Sequence, residues 1–368
     1  MRTFLVVLLL AHTASAASVT KPAKPVIQLA VLLDTSNSMD GLIDQARKQL
    51  WRVVNELAAS KKNGVTPDLR VALYEYGNDS LPSSTGHIRR VLPLTSDLDK
   101  VSEELFALKT NGGSEYCGHV IDEATKHLEW SGSSSDLKLI FIAGNEEFTQ
   151  GRVDFREACR RAIAKGIAVN TIYCGAKSDP IAGDWKNGAS LADGSFLTID
   201  QNTRVADIPA PQDKEIALLG EQLNKTYIAY GRAGAVGAAR QKTQDENLAA
   251  APAASVQRQV AKASAAYSNT SWDLVDAKKE GVVDLDKIDA KDLPPEMQKM
   301  TPAERKAYVA QAEKKRAEIQ TKIRKLDEER KKFVAAEMKK LPPAATTLDA
   351  AVITAVRDTG SRKGYKFQ

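Results

Sequence analysis

Val26-Ile27-Gln28-Leu29-Ala30-Val31-Leu32-Leu33-Asp34-Thr35-Ser36-Asn37-Ser38 is the stretch that decides how this chain is read. Its first eight residues are nearly all apolar and rich in branched side chains, as expected of a strand covered on both faces by helices. An acid and two hydroxyls then follow at i, i+2 and i+4, where the strand runs out. In open α/β sheets that carboxyl edge is where loops converge and ligands bind. Asp34 supplies charge there, and Ser36 and Ser38 supply hard oxygens of the kind Mg²⁺ or Mn²⁺ accept.

After Met39-Asp40-Gly41 the pattern changes to an amphipathic helix, with Ile43, Ala46, Leu50, Val54 and Leu57 on one stripe. Strand, oxygen-rich loop and helix in this order resemble the von Willebrand factor type A domain, whose metal-ion-dependent adhesion site begins Asp-x-Ser-x-Ser. The resemblance implies an α/β fold, a doubly wound and mostly parallel sheet flanked by helices, and two further metal-facing loops. The first of these is Gly-Gly-Thr in the family. Here Asn111-Gly112-Gly113-Ser114-Glu115 precedes a helical stripe of Val120, Ile121, Ala124 and Leu128, which makes Ser114 the matching ligand.

The last loop departs from the family pattern. Leu137 to Ile142 reads as another buried strand, which the family follows with Thr-Asp-Gly; this chain has Ala143-Gly144-Asn145-Glu146-Glu147. The acidic position falls on Gly144, so a divalent cation meets less charge and should be held more weakly. Asn145 could offer a carbonyl oxygen and Glu146 a carboxylate, if the loop bends differently. The expected metal set is therefore Asp34, Ser36, Ser38, Ser114 and Asn145, holding Mg²⁺ or Mn²⁺. The loop and the following Phe148-Thr149-Gln150-Gly151 resemble an exported bacterial subgroup of type A proteins, and the similarity extends to Trp272-Asp273-Leu274-Val275-Asp276.

Length and composition agree with one α/β domain and a sizeable extra segment: 368 residues, 43% of them hydrophobic, with a formal charge of +5 spread over both signs. No basic patch interleaved with aromatics argues for nucleic acid. Cys117, Cys159 and Cys174 are too few for a disulfide framework, and leave either one bridge or buried thiols. Met1-Arg2-Thr3, the apolar run Phe4 to Ala11 and Ala14-Ser15-Ala16 read as a signal peptide over residues 1–16, with an uncleaved anchor as the alternative, which predicts an exported protein, periplasmic or extracellular. Nothing later is long and apolar enough to cross a membrane.

The expected organisation places the type A domain at 25–230, a linker and helical extension at 231–276, a linker at 277–300, a long charged helix at 301–341 and a tail at 342–368. Within the domain, Ile88 to Leu94 should be an antiparallel edge strand, Leu98 to Leu108 a helix capped by Ser96, Ser178 to Asp193 a loop, and Asp213 to Tyr227 the closing helix. Trp185 in that loop either contacts a ligand or covers a helix end. Gly231 to Gly237 reads as a hinge. Thr301-Pro302-Ala303-Glu304 carries three agreeing helix-start signals. The stripe that follows, Ala312, Ile319, Ile323, Leu326 and Phe333, is interrupted by Arg316 and Arg330 where a coiled coil wants a second seam. Such a helix packs back on its own chain or meets a partner. The tail should add a short helix, Leu348 to Val356, before a basic flexible end.

No catalytic set assembles, since His87, His119 and His127 lack a recognisable nucleophile or orienting acid. The reading is a binding protein and not an enzyme. Serine hydroxyls are neutral donors, so a cation held by Asp34 and hydroxyls keeps positive charge and an open position, which an Asp or Glu carboxylate of a protein partner can fill. That is how domains resembling this one recognise proteins. The alternative keeps the fold without metal, as a scaffold that makes contacts through its helical C-terminal half.

Overall fold

The computed structural model describes residues 24–202, 208–340 and 347–367. The proposed leader, residues 1–16, and the Pro342-Pro343 stop lie outside the described residues. In chain order the first part comprises β1 (Val26–Asp34), α1 (Asp40–Ala59), β2 (Lys61–Lys62), β3 (Asp68–Tyr76), β4 (Ile88–Thr95), α2 (Leu98–Ala107), α3 (Cys117–His127), β5 (Leu137–Gly144), α4 (Phe155–Ala164), β6 (Ala168–Tyr173), α5 (Ala182–Leu191) and β7 (Phe196–Thr198). The second part comprises α6 (Asp213–Asn224), α7 (Gly234–Asn247), α8 (Pro252–Lys262), α9 (Leu274–Lys279), α10 (Pro302–Met338), α11 (Leu348–Arg362) and β8 (Tyr365–Lys366).

Six of these strands form one sheet in the order β4-β3-β1-β5-β6-β7. The antiparallel member is β4, as the sequence predicts; β1, β3, β5, β6 and β7 run parallel. Burial on both faces explains the apolar run of β1: Leu29 and Leu33 face the layer of α1, α2 and α11, whereas Ala30 and Leu32 face α3, α4 and α5. Because β1 lies between β3 and β5, the loops after β1 and β5 depart toward opposite faces and leave a crevice at the carboxyl edge. Asp34 stands at its end, in register with Tyr76 of β3.

Several local expectations are corrected. The cap of α2 is Asp97, whose side chain accepts from Lys100 N at 2.9 Å, and not Ser96. The Ser178 to Asp193 stretch is not all loop, for it contains α5. Its two glycines weaken helix propensity, but tertiary contacts fix it: Thr171 Oγ1 donates to Trp185 O at 2.8 Å, and Gly188 lies against the Phe148 ring. The presumed hinge at Gly231 to Gly237 runs into α7, with Gly237 pressed on the Trp272 indole. The 277–300 stretch buries Leu285, Leu293 and Met297 against Leu274 and Val309.

The tail differs most. Its helix continues to Arg362, and β8 then pairs antiparallel with β2, where a flexible end was expected. Leu348, Ala351, Val352, Ala355 and Val356 join the core beside α1. It is α11 that covers this sheet face, while α6 packs against α8 and α10. The helix α10 begins with the predicted capping box and lies on α6, α8 and α9 of its own chain. No helix among the described residues is long and apolar enough to cross a membrane.

Candidate metal centre

Three loops are laced together at the carboxyl edge. Thr35 N donates to Tyr76 O at 2.9 Å, Asn111 N to Thr35 O at 3.0 Å and Asn37 N to Gly112 O at 3.0 Å. These backbone bonds fix the loop after β1 against the Gly112-Gly113 turn before any side chain contributes. The loop after β5 is pinned from behind by aromatic packing. Trp185 is fully buried, packs at a tilt with its ring centroid 4.6 Å from that of Phe148 and donates its Nε1 proton to Glu146 O at 2.8 Å. Of the two readings of Trp185, the structure selects a packing role.

Asp34 is wholly buried, and its two oxygens differ. Oδ1 accepts from Ser36 N at 2.8 Å, whereas Oδ2 has no hydrogen-bond partner among the described residues. Burial pushes the carboxyl up to about 7; the Ser36 hydrogen bonds oppose this, and the charges of Glu115 and Glu146 reinforce it. Ser36 Oγ lies 3.2 Å from Ser38 Oγ, which in turn meets the Asn145 side chain at 3.2 to 3.3 Å. Asp34, Ser36, Ser38 and Asn145 thus form one connected chain of polar contacts. Ser114 is half-buried on the adjoining turn and makes no hydrogen bond to those four among the described residues.

Two participants were not anticipated. Tyr76 is fully buried and donates from Oη to Ala143 O at 3.0 Å, with the Cys117 thiol 3.8 Å away. A Cβ on Gly144 would lie 2.5 Å from Tyr76 Oη and 3.0 Å from Asp34 Oδ2. Tyr76 Oη and Asp34 therefore crowd the space that a side chain at 144 would need. The other is Glu115, 5% exposed, whose carboxyl is raised first by burial and then by Glu146. A signal for Tyr76 existed in the parallel pairing of β1 and β3, which sets it beside Asp34; adjacency to Ser114 was the only mark of Glu115. All three cysteines are free and buried, so the reading of a bridge is set aside for buried thiols.

A buried carboxylate oxygen without a proton donor is what a hard cation would satisfy. The donor types fit Mg²⁺ or Mn²⁺, all of them oxygens, although no group of three or more His, Cys, Asp or Glu side chains close enough to share an ion is found among the described residues. Residues 28–184 match the von Willebrand factor type A domain. Type A domains generally mediate protein–protein interaction. No curated protein matches the chain.

Solved structures similar to part of this chain include BatB of Bacteroides thetaiotaomicron, at 17% identity over 47% of this chain and 90% of that one, with a TM-score of 0.36. The SpRpn10 VWA domain aligns at 14% identity over 49% of this chain and 90% of that one, TM-score 0.36. The mussel byssus proximal thread matrix protein 1, solved with a zinc-occupied MIDAS motif, aligns at 11% identity over 48% of this chain, TM-score 0.36. This chain spans 42% of that protein.

Proposed function

We propose that the protein is an exported binding protein, periplasmic or extracellular, that recognises a protein partner through a divalent cation at the carboxyl edge of its sheet. Asp34, Ser36 and Ser38 would hold Mg²⁺ or Mn²⁺, with Asn145 on the rim and Ser114 on the neighbouring turn. Asp34 ligates directly or orients a bound water. The ion supplies positive charge and an open coordination position for an Asp or Glu carboxylate of the partner; no bond need be broken. The observation that carries this reading is the fully buried Asp34 Oδ2, which has no hydrogen-bond partner among the described residues. Without a cation, an acidic partner would meet Asp34, Glu115 and Glu146 together and be repelled, so binding should be chelator-sensitive.

A second reading, a metal-free scaffold using the helical half, is favoured by one observation: a carboxyl held up at about 7 is substantially protonated near neutrality and can remain buried without an ion. Thermal melting of the purified chain separates the two. If Mn²⁺ raises the melting temperature and Asp34→Ala removes the rise, the cation reading stands; a chain that melts identically with and without Mn²⁺ is the scaffold.

A further inference from the structure

Glu115 closes the Gly113-Ser114 turn, and its carboxyl is folded back under that turn instead of reaching solvent. Two glycines make the room. Gly77 has φ +75°, and a Cβ there would lie 2.8 Å from Glu115 Cγ and 2.9 Å from Asp34 Oδ1. A Cβ on Gly113 would run into Glu115 Oε1 and lie 2.8 Å from Ser36 Cβ. The Glu115 side chain thereby passes the Oδ1 side of Asp34 and brings its carboxyl toward Ser36, in a cradle that any larger residue at 77 or 113 would fill.

The partners of this acid do not balance it. Gln150 Nε2 approaches Oε2 at 3.4 Å, and the Ser36 hydroxyl and the Glu115 backbone N–H also favour its charged form, but these are neutral donors and no basic side chain pairs with Glu115 among the described residues. Two carboxyls buried side by side, with Glu146 adding repulsion, raise the free energy of the fold unless a proton or a cation comes between them. The pointer to a cation is independent of Glu115 itself: Asp34 Oδ2 is fully buried and has no donor among the described residues. Meanwhile Tyr76 Oη blocks position 144, so the acid of the third loop cannot be restored from that side.

We propose that Glu115 is the second carboxylate ligand of the cation site, supplying from the Gly113-Ser114 turn the charge that Gly144 cannot, with the Ser114 hydroxyl a minor contributor. The assignment rests on the cation reading of Asp34. Two carboxylates and serine hydroxyls form an all-oxygen set, which selects hard divalent ions such as Mg²⁺ and Mn²⁺.

Mn²⁺ titration of the full chain by calorimetry tests it. Glu115→Gln should weaken Mn²⁺ binding by at least about tenfold, whereas Ser114→Ala should change it by less than about threefold. Gly113→Ala keeps every candidate donor but displaces the Glu115 carboxyl, and should weaken binding as Glu115→Gln does. In chelator, Glu115→Gln should melt at or above the native temperature, because it removes a buried charge without removing shape. Native affinity in Glu115→Gln, or a loss confined to Ser114→Ala, overturns the assignment and leaves the cation reading intact. A native chain that binds no Mn²⁺ overturns both.

Discussion

In chelator at pH 8, Asp34→Asn should be more stable than the native chain, and the difference should shrink as the pH falls. Burial raises the Asp34 carboxyl from 3.8 to about 7 on folding. An acid whose folded pKa lies above its unfolded value destabilises the fold as it ionises: the effect is absent below about pH 4, grows through the interval up to 7 and is constant above. One pKa unit is about 1.4 kcal/mol, so a gap of about 3 units amounts to roughly 4 kcal/mol above pH 7 and to somewhat under 2 kcal/mol at pH 5. The native chain should accordingly lose about 2 to 3 kcal/mol between pH 5 and pH 8 that the variant keeps. The asparagine retains an acceptor for Ser36 N but adds a buried amide donor, so the pH dependence of the difference, and not its absolute size, reports the charge. A divalent cation on Oδ2 acts in the opposite sense, since it requires the ionised form; Mn²⁺ should raise native stability more at pH 8 than at pH 5, where protons compete. Urea unfolding of both chains at the two pH values, in chelator and in Mn²⁺, gives all four numbers. Parallel pH profiles for the two chains in chelator would refute the desolvation argument.

Gly144→Asp, which restores the family acid, should destabilise by about 1 to 3 kcal/mol through overpacking against Tyr76 Oη, and Tyr76→Phe in the same chain should recover part of that loss in thermal melting. Asp99→Ala removes the acceptor of Arg258 Nη1 at 2.6 Å and of Tyr267 Oη at 2.6 Å; with Arg258 wholly buried, denaturant unfolding should register a loss of about 3 kcal/mol or more. A chain ending at Thr347 exposes the sheet face that α11 covers, and should lose cooperative melting; a truncated chain that melts sharply near the native temperature would show α11 to be dispensable.

The sheet was legible where burial is two-sided and uninterrupted. Apart from Gln28, Asp34 and Lys138, β1 and β5 are apolar because helices cover both faces, and α1 and α3 show a single clean stripe. α5 was not legible, since two glycines and a single turn of apolar residues conceal a helix held by Thr171 and Phe148. The tail was underestimated for a related reason: Leu348, Val352 and Val356 mark a stripe, but nothing local tells that the partner surface lies about 300 residues earlier, where Leu348 N donates to Gln45 Oε1 and Asp349 N to Gln49 Oε1. In the site, Asp34, Ser36, Ser38 and Asn145 could be placed because each follows a readable strand or precedes a readable helix. Glu115 and Tyr76 act through close approach, and close approach depends on glycines at 77, 113 and 144 whose role appears only once the backbone is in place.

The arginines of α10 make the same point from the opposite direction. Read along one helix, Arg316 and Arg330 interrupt a hydrophobic seam and weaken the case for a coiled coil. In the fold they are the seam: Arg316 donates to Asp273 at 2.7 and 3.1 Å, to Asp276 at 2.9 Å and to Thr226 O at 2.7 Å, with its guanidinium 4.1 Å from the Tyr227 ring. Arg330 reaches Asp213 at 2.6 Å. A buried guanidinium is tolerated only where several acceptors meet its fork, which fixes orientation as well as charge. Ile319 and Ile323 supply the apolar contact between these two anchors. The helix is therefore held in one register against α6 and α9, and the face it leaves to solvent is rich in Lys, Glu and Ala. A partner docking on that face would meet dispersed charge of both signs, whose attraction fades with salt. One docking at Asp34 would instead respond to chelator, so the two proposed modes of recognition differ in the physical variable that controls them.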